Sequence, residues 1–241
     1  MNYGALGSTI GHEISHAFDE EGRTIDEKGE LRDWWTEQDT AKFEARAQLL
    51  VEQFNRYEPL PGLFINGELT LGENIADLAG LAIAYRAYMR SLDGKQAPVI
   101  DGYTGEQRFF IAIAASSRGV LRPGLLRELV LSDPHSPDEY RVNGIVNNLP
   151  EFYAAFDVKE GDALYLPEEE RVHIWSGRAL LDRLLVKFRE ILRRDGRWAR
   201  VLQELSMRNG FAPALLAVLL SSAGCGNGKD TDTSVPAEED A

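Results

Sequence analysis

The chain has a single cysteine, Cys225, among 241 residues. No intramolecular disulfide can form, so folding does not depend on one, and any metal site must use nitrogen and oxygen ligands. Histidine is scarce, with four in all. Basic residues are outnumbered, 26 Lys and Arg against 39 Asp and Glu, for a net charge of −13. Residues 176–241 hold 10 basic and 9 acidic side chains, so the acidic excess falls on residues 1–175. An acidic body of this kind argues against nucleic-acid binding, which needs a basic footprint. The apolar run from Phe211 to Leu220 is too short to span a bilayer. No internal repeat is present. No signal-peptide pattern lies ahead of His12, which stands 11 residues from Met1.

What remains is enough apolar material for one sizeable core, at 44% hydrophobic and 27% charged residues. Its periodicity is mainly helical. Ile10, Ile14, Ala17 and Phe18 predict a helix over residues 7–20. Thr36 opens a second, whose buried stripe is Phe43, Ala47, Leu50, Val51, Phe54 and Tyr57. Asn66-Gly67 between Leu63-Phe64-Ile65 and Glu68-Leu69 predicts a short hairpin with a type I′ turn. A helix rich in Ala and Leu follows from about Leu71 to Arg90. Thr104-Gly105-Glu106-Gln107 is a capping box that opens a further helix to about Arg118. Pro123 and Pro150 suit first helical turns. Asp133-Pro134-His135-Ser136-Pro137 reads as a rigid polar loop. The fold class expected is mainly α with a few short strands.

The chemistry centres on His12-Glu13-Ile14-Ser15-His16. Residues four apart share a helix face, so His12 and His16 can offer two imidazoles to one zinc ion. Glu13 then lies beside the metal, placed to take a proton from a water that zinc acidifies. A catalytic zinc needs a third protein ligand and one open position. The HExxHxxGxxH pattern fails here, because Asp19 and Gly22 occupy its Gly and His positions. The gluzincin alternative takes a Glu from a later helix, and Gly72-Glu73-Asn74-Ile75-Ala76-Asp77 offers Glu73. Asp77, one turn on, can accept the free ring N–H of a ligand histidine. Thr70-Leu71-Gly72-Glu73 is equally a capping box, and local pattern does not choose between the two roles.

Several further motifs run in order along the chain. Asn2-Tyr3-Gly4 precedes the HExxH, and Phe18-Asp19-Glu20-Glu21-Gly22-Arg23 and Leu31-Arg32-Asp33-Trp34-Trp35-Thr36 follow it. Then come Ile65 to Asp77, Asp133 to Pro137, Tyr140-Arg141-Val142-Asn143-Gly144 and Pro150-Glu151-Phe152-Tyr153, with Trp175 at the end. Residues 2–175 in this order resemble the neprilysin and endothelin-converting-enzyme family of zinc metallopeptidases. The resemblance implies the C-terminal part of a thermolysin-like, gluzincin catalytic domain, with one Zn²⁺ per chain. It implies His12, His16 and Glu73 as metal ligands and Glu13 as general base. Asp77 and Asp19 would orient the two ligand histidines. His135, with Asp133 beside it, would stabilise the oxyanion, and Arg141 would hold a substrate carbonyl. On residue type alone, His135 reads as a loop residue capping a turn, and Arg141 as a surface ion pair.

The activity implied is hydrolysis of peptide bonds in short peptides, outside the cytoplasm, in the periplasm or cell envelope. The alternative is a zinc-binding fragment without catalysis. The resemblance implies a longer family architecture, and the family's upstream substrate-binding strand and helical lid domain are expected to be missing from this chain. Ser116-Ser117 stand where the family has a bulky Val-Trp pair, and His173 stands where it has Arg.

Beyond residues 1–175, which read as the peptidase core, composition changes. Residues 176–206 read as a basic amphipathic helix, with Leu181, Leu184, Leu185, Phe188, Ile191 and Leu192 on one face. Residues 207–241 combine an apolar run, Ser222-Ala223-Gly224-Cys225 resembling a bacterial lipobox, and a polar acidic tail. Two readings stand: a neighbouring reading frame joined to the peptidase end, or a membrane-associating C-terminal helix.

Overall fold

The computed structural model describes residues 2–26, 28–32 and 34–174. The predicted amphipathic helix over 176–206 and the lipobox segment lie outside the described residues. Seven α-helices appear there: α1 (Ser8–Ser15), α2 (Glu37–Phe54), α3 (Leu71–Ser91), α4 (Gly105–Ser116), α5 (Pro123–Ser132), α6 (Asp138–Val146) and α7 (Pro150–Phe156). A π-turn, Tyr3–Gly7, leads into α1, and a 3₁₀ turn, His16–Phe18, carries the chain out of it. Pairing between extended segments among the described residues consists of three isolated antiparallel bridges. None of the described helices is long and apolar enough to cross a membrane.

Local signals explain four of the seven helix starts. The Thr36 hydroxyl accepts from the Asp39 amide at the start of α2. At α4 the Thr104 and Gln107 side chains satisfy each other's backbone in a complete capping box. Pro123 and Pro150 occupy first turns. Of the predicted stripe on α2, Phe43, Ala47, Leu50, Val51 and Phe54 are buried and Tyr57 is half-buried. Phe43, Ala47, Leu50 and Phe54 join Ile75, Leu78 and Leu81 of α3, Phe109 and Phe110 of α4, and Ile145 and Val146 of α6 in one core.

The hairpin expected at Asn66-Gly67 does not form. A type I′ turn needs positive φ at both central residues, and neither Asn66 nor Gly67 adopts it. Instead the Asn66 side-chain oxygen accepts from the amides of Glu68 and Leu69, and its carbonyl accepts from Thr70. The asparagine thus closes a turn that feeds directly into α3.

The contact that positions the site is the crossing of α1 and α3. A Cβ built on Gly11 would lie 2.6 Å from the Gly80 carbonyl oxygen and 2.8 Å from the Gly80 Cα. A Cβ on Gly80 would collide with the backbone of Ser8 and His12. Two glycines facing each other let the helix backbones touch, and His12 follows directly from that contact.

Behind the site, a buried amide network locks α6 to α2. The Gln53 side-chain amide donates to the Gly144 carbonyl (2.7 Å) and the Tyr57 hydroxyl (2.8 Å). The Asn148 amide donates to the Gln53 oxygen (3.1 Å), and its own oxygen accepts from the Val172 amide (2.7 Å). Each group is satisfied, which lets this polar layer sit inside the core.

Candidate metal centre

α1, α3 and the segment ahead of α6 bring the predicted residues together. His12 and His16 project from adjacent turns, and their Nε2 atoms are 3.0 Å apart. The Glu73 Oε2 lies 3.1 Å from the His12 Nε2, and its Oε1 lies 3.6 Å from the His16 Nε2. A tetrahedral zinc with ligand bonds of about 2.0–2.2 Å spaces its ligand atoms about 3.3–3.6 Å apart. The cluster is therefore within a few tenths of an ångström of the size such an ion needs.

The hydrogen bonds behind the imidazoles fix what their front nitrogens can do. The His12 Nδ1 donates to the Asp77 Oδ1 and the His16 Nδ1 to the Asp19 Oδ2, both at 2.8 Å. The other Asp19 oxygen accepts from the amides of Glu21 and Gly22, so that carboxylate cannot swing away. With Nδ1 committed to its carboxylate, it is Nε2 of each ring that faces inward, and on loss of its proton that nitrogen offers a lone pair. Two lone pairs and a carboxylate then face one point. The buried Glu73 Oε2 makes no well-directed hydrogen bond there. An electron-rich pocket of this kind fits a cation.

Charge accounts for the pKa values. Burial works to lower the His12 imidazole, but the Asp77 and Glu73 carboxylates outweigh it and hold it up at about 9. Burial works to raise Glu73 and Asp77, and their cationic neighbours outweigh that too. Both carboxyls stay below their ordinary values. Asp77 owes this chiefly to Arg141, whose Nε and Nη2 donate to its two oxygens at 2.8 Å each.

His135 and Arg141 complete the arrangement. The His135 Nε2 lies 3.1 Å from the Glu73 Oε2, and its Nδ1 bonds the Asp133 Oδ1 at 2.8 Å. The His135 backbone amide also donates to that oxygen. This amide, ahead of the ring, holds the Asp133 carboxyl below its usual range. Arg141 comes from α6, a helix that the sequence reading did not mark; Pro137 followed by Asp138-Glu139 was the signal for it. The expected surface ion pair of Arg141 is a bidentate clamp on Asp77 within the site.

A cleft of about 340 Å³ opens in front of these residues. Glu13 is exposed on its wall, with His12, His135 and Arg141 close by. Ser116 and Ser117 also line it, with Ile113, so the substituted pair does face the cleft. Sequence reasoning missed Gly11 and Gly80, since a close backbone approach leaves no trace in hydrophobic periodicity.

Comparisons with known proteins identify the chain's relatives. The profile of Peptidase family M13 matches residues 1–172. Neprilysin-1 of Caenorhabditis elegans is 43% identical over 171 residues, covering 68% of this chain and 22% of that protein. Human neprilysin is 37% identical over 181 residues, covering 73% of this chain and 24% of its own. Among solved structures, the Mycobacterium tuberculosis zinc metalloprotease Zmp1, in complex with an inhibitor, superposes with a TM-score of 0.71 at 49% identity. That match covers 73% of this chain and 28% of Zmp1. The chain thus spans about a quarter of the length of these relatives. On the profile match, the identities and the shared helical framework, the chain belongs to peptidase family M13.

Proposed function

We propose that this chain carries the core of a zinc-dependent endopeptidase acting on short peptides, with one zinc ion held by His12, His16 and Glu73. The observation that carries this reading is the convergence of two Nε2 lone pairs and a carboxylate, each imidazole backed by its own carboxylate. Zinc bound there supplies a Lewis acid that polarises a carbonyl and lowers the pKa of water towards about 7. The similarity to neprilysins and to Zmp1 supports the same reading.

The chain's own groups have distinct tasks in it. Glu13, exposed on the cleft wall, takes the proton of the attacking water and passes it to the leaving amine. Asp77 and Asp19 keep the two ligand imidazoles in the tautomer that presents Nε2. His135 donates from Nε2 to the oxygen that becomes negative as the amide carbon turns tetrahedral. Its Nδ1 is held by the Asp133 carboxylate, which fixes the ring with Nε2 facing the Glu73 side of the site. Arg141 stays fixed by Asp77 and turns the rest of its guanidinium towards the cleft, where it orients a substrate carbonyl. We place the working core at residues 1–175 and the protein outside the cytoplasm, with peptides as its substrates.

The alternative reading is zinc binding without catalysis. A quenched peptide assay separates the two. Chelator-sensitive cleavage is expected, and Glu13→Gln should lower it by about 10²–10⁴-fold while zinc stays bound. One equivalent of zinc with no chelator-sensitive cleavage would leave only the second reading.

A further inference from the structure

Glu20 stands directly after Asp19 but points elsewhere. Its carboxylate lies against the first turn of α3. A Cβ built on Gly72 would come within 2.9 Å of the Glu20 Oε1 and 3.2 Å of its Oε2. Burial pushes the Glu20 carboxyl above its usual range, against the opposing pull of the Glu20 and Gly72 amides, and Oε2 is buried with no hydrogen-bond partner among the described residues. Gly72 belongs to the first helical turn, one residue before Glu73, where amides have no partner inside the helix.

The residue expected to cap α3 is occupied otherwise. The Thr70 hydroxyl donates to the Asn66 carbonyl and accepts from the Asn74 side chain, and it makes no cap. The Thr70 amide also donates to the Asn66 carbonyl. Glu73 therefore has no call to fold back in a capping box, and its carboxylate is free to reach the histidines. A carboxylate from another segment sits at this helix terminus, where the macrodipole favours negative charge.

We propose that Glu20 is a positioning residue for the metal centre: its carboxylate clasps the first turn of α3 and so fixes Glu73 relative to His16. Adjacent residues divide the work. Asp19 orients the His16 ring, and Glu20 grips the turn that bears Glu73. The dipeptide ties together the ligand pair separated by 3.6 Å, the widest edge of the cluster. It also explains Gly72, since any side chain there would displace the clasp. The inference rests on the zinc-binding reading given above.

Zinc affinity, measured by competition with a chromophoric chelator on the full chain, tests it. Glu20→Ala and Gly72→Ala should each weaken binding by about 10–100-fold, the usual cost of losing a partner behind a metal site. Gly72→Ala leaves the carboxylate present but pushed aside, and its neighbour is a flexible side-chain end, so the fold should survive. Glu20→Gln, which keeps an acceptor oxygen for the Gly72 amide, should recover much of the loss. Combining Glu20→Ala with Gly72→Ala should weaken binding no further than either alone, because both remove one clasp. Helicity by circular dichroism accompanies each measurement. Wild-type affinity in Gly72→Ala or in Glu20→Ala would overturn the proposal. So would a loss in Glu20→Ala with strictly additive behaviour in the double variant. A wild-type chain that binds no zinc would instead remove the zinc-binding reading itself.

Discussion

Glu73 occupies the third position of α3, where a Thr-x-x-Glu sequence usually turns the glutamate back on the helix's own start. Its release depends on Asn66, whose carbonyl has already taken the Thr70 amide. Single residues of this kind decide what the site can hold. His12 is the clearest case. Its Nδ1 proton belongs to Asp77, so to ligate a metal its Nε2 must be bare. In the metal-free protein the neighbouring carboxylates hold this imidazole at about 9, above its ordinary value. A raised pKa means the proton is held more tightly in the folded protein, so zinc must displace it throughout the neutral range. Zinc affinity should therefore climb with pH, by up to about tenfold per pH unit, and level off above about pH 9. Isothermal titration in buffers of different ionisation enthalpy reads the proton released. An affinity flat across the neutral range would show that His12 is already bare.

At the scale of elements, the crossing of α1 and α3 sets which residues can meet. A methyl group at position 80 meets backbone rather than a movable side chain. Gly80→Ala should cost about 1–3 kcal/mol, as overpacking does, and should weaken zinc binding by moving His12. Urea unfolding of the metal-free protein, paired with chelator competition, measures both; unchanged values would mean the helices slide freely. Neither glycine was legible in the sequence, where each reads as a mild weakness inside a helix. The helices themselves were legible, since Thr36, the Thr104 box, Pro123 and Pro150 carry their own local chemistry. Of the candidate ligands, His12 and His16 were legible through their spacing, whereas local pattern left Glu73 between a ligand and a cap, and only the family resemblance chose. Non-local effects were hidden. The Asn66 turn won over a hairpin because its side chain had two amides within reach. The Asp77 clamp and the amide layer around Gln53 join residues more than 60 positions apart. No window of sequence shows them.

The whole molecule bears on the site through the ligands' origins. His12 and His16 come from α1 and the turn after it, Glu73 comes from α3, and the nearby Asp133–His135 pair stands between α5 and α6. An ion held by α1 and α3 cannot stay bound once the two separate, so zinc binding and folding are linked. At free zinc a hundred times its Kd, the stabilisation is about 2.7 kcal/mol. For a domain of this size that corresponds to a rise in Tm of roughly 5–10 °C. Scanning calorimetry with zinc and with chelator checks it, and identical Tm values would separate the ion from the fold. The glycine crossing then acquires a different meaning. It works as a jig, in which hard backbone contact rather than a choice of rotamers sets the gauge between two ligand-bearing helices. Such a gauge has no adjustable part. Variation in the surrounding apolar side chains can loosen the wall behind the jig without resetting the distance it enforces. A metal held there would thereby be insulated from much of the sequence drift the surrounding core can absorb.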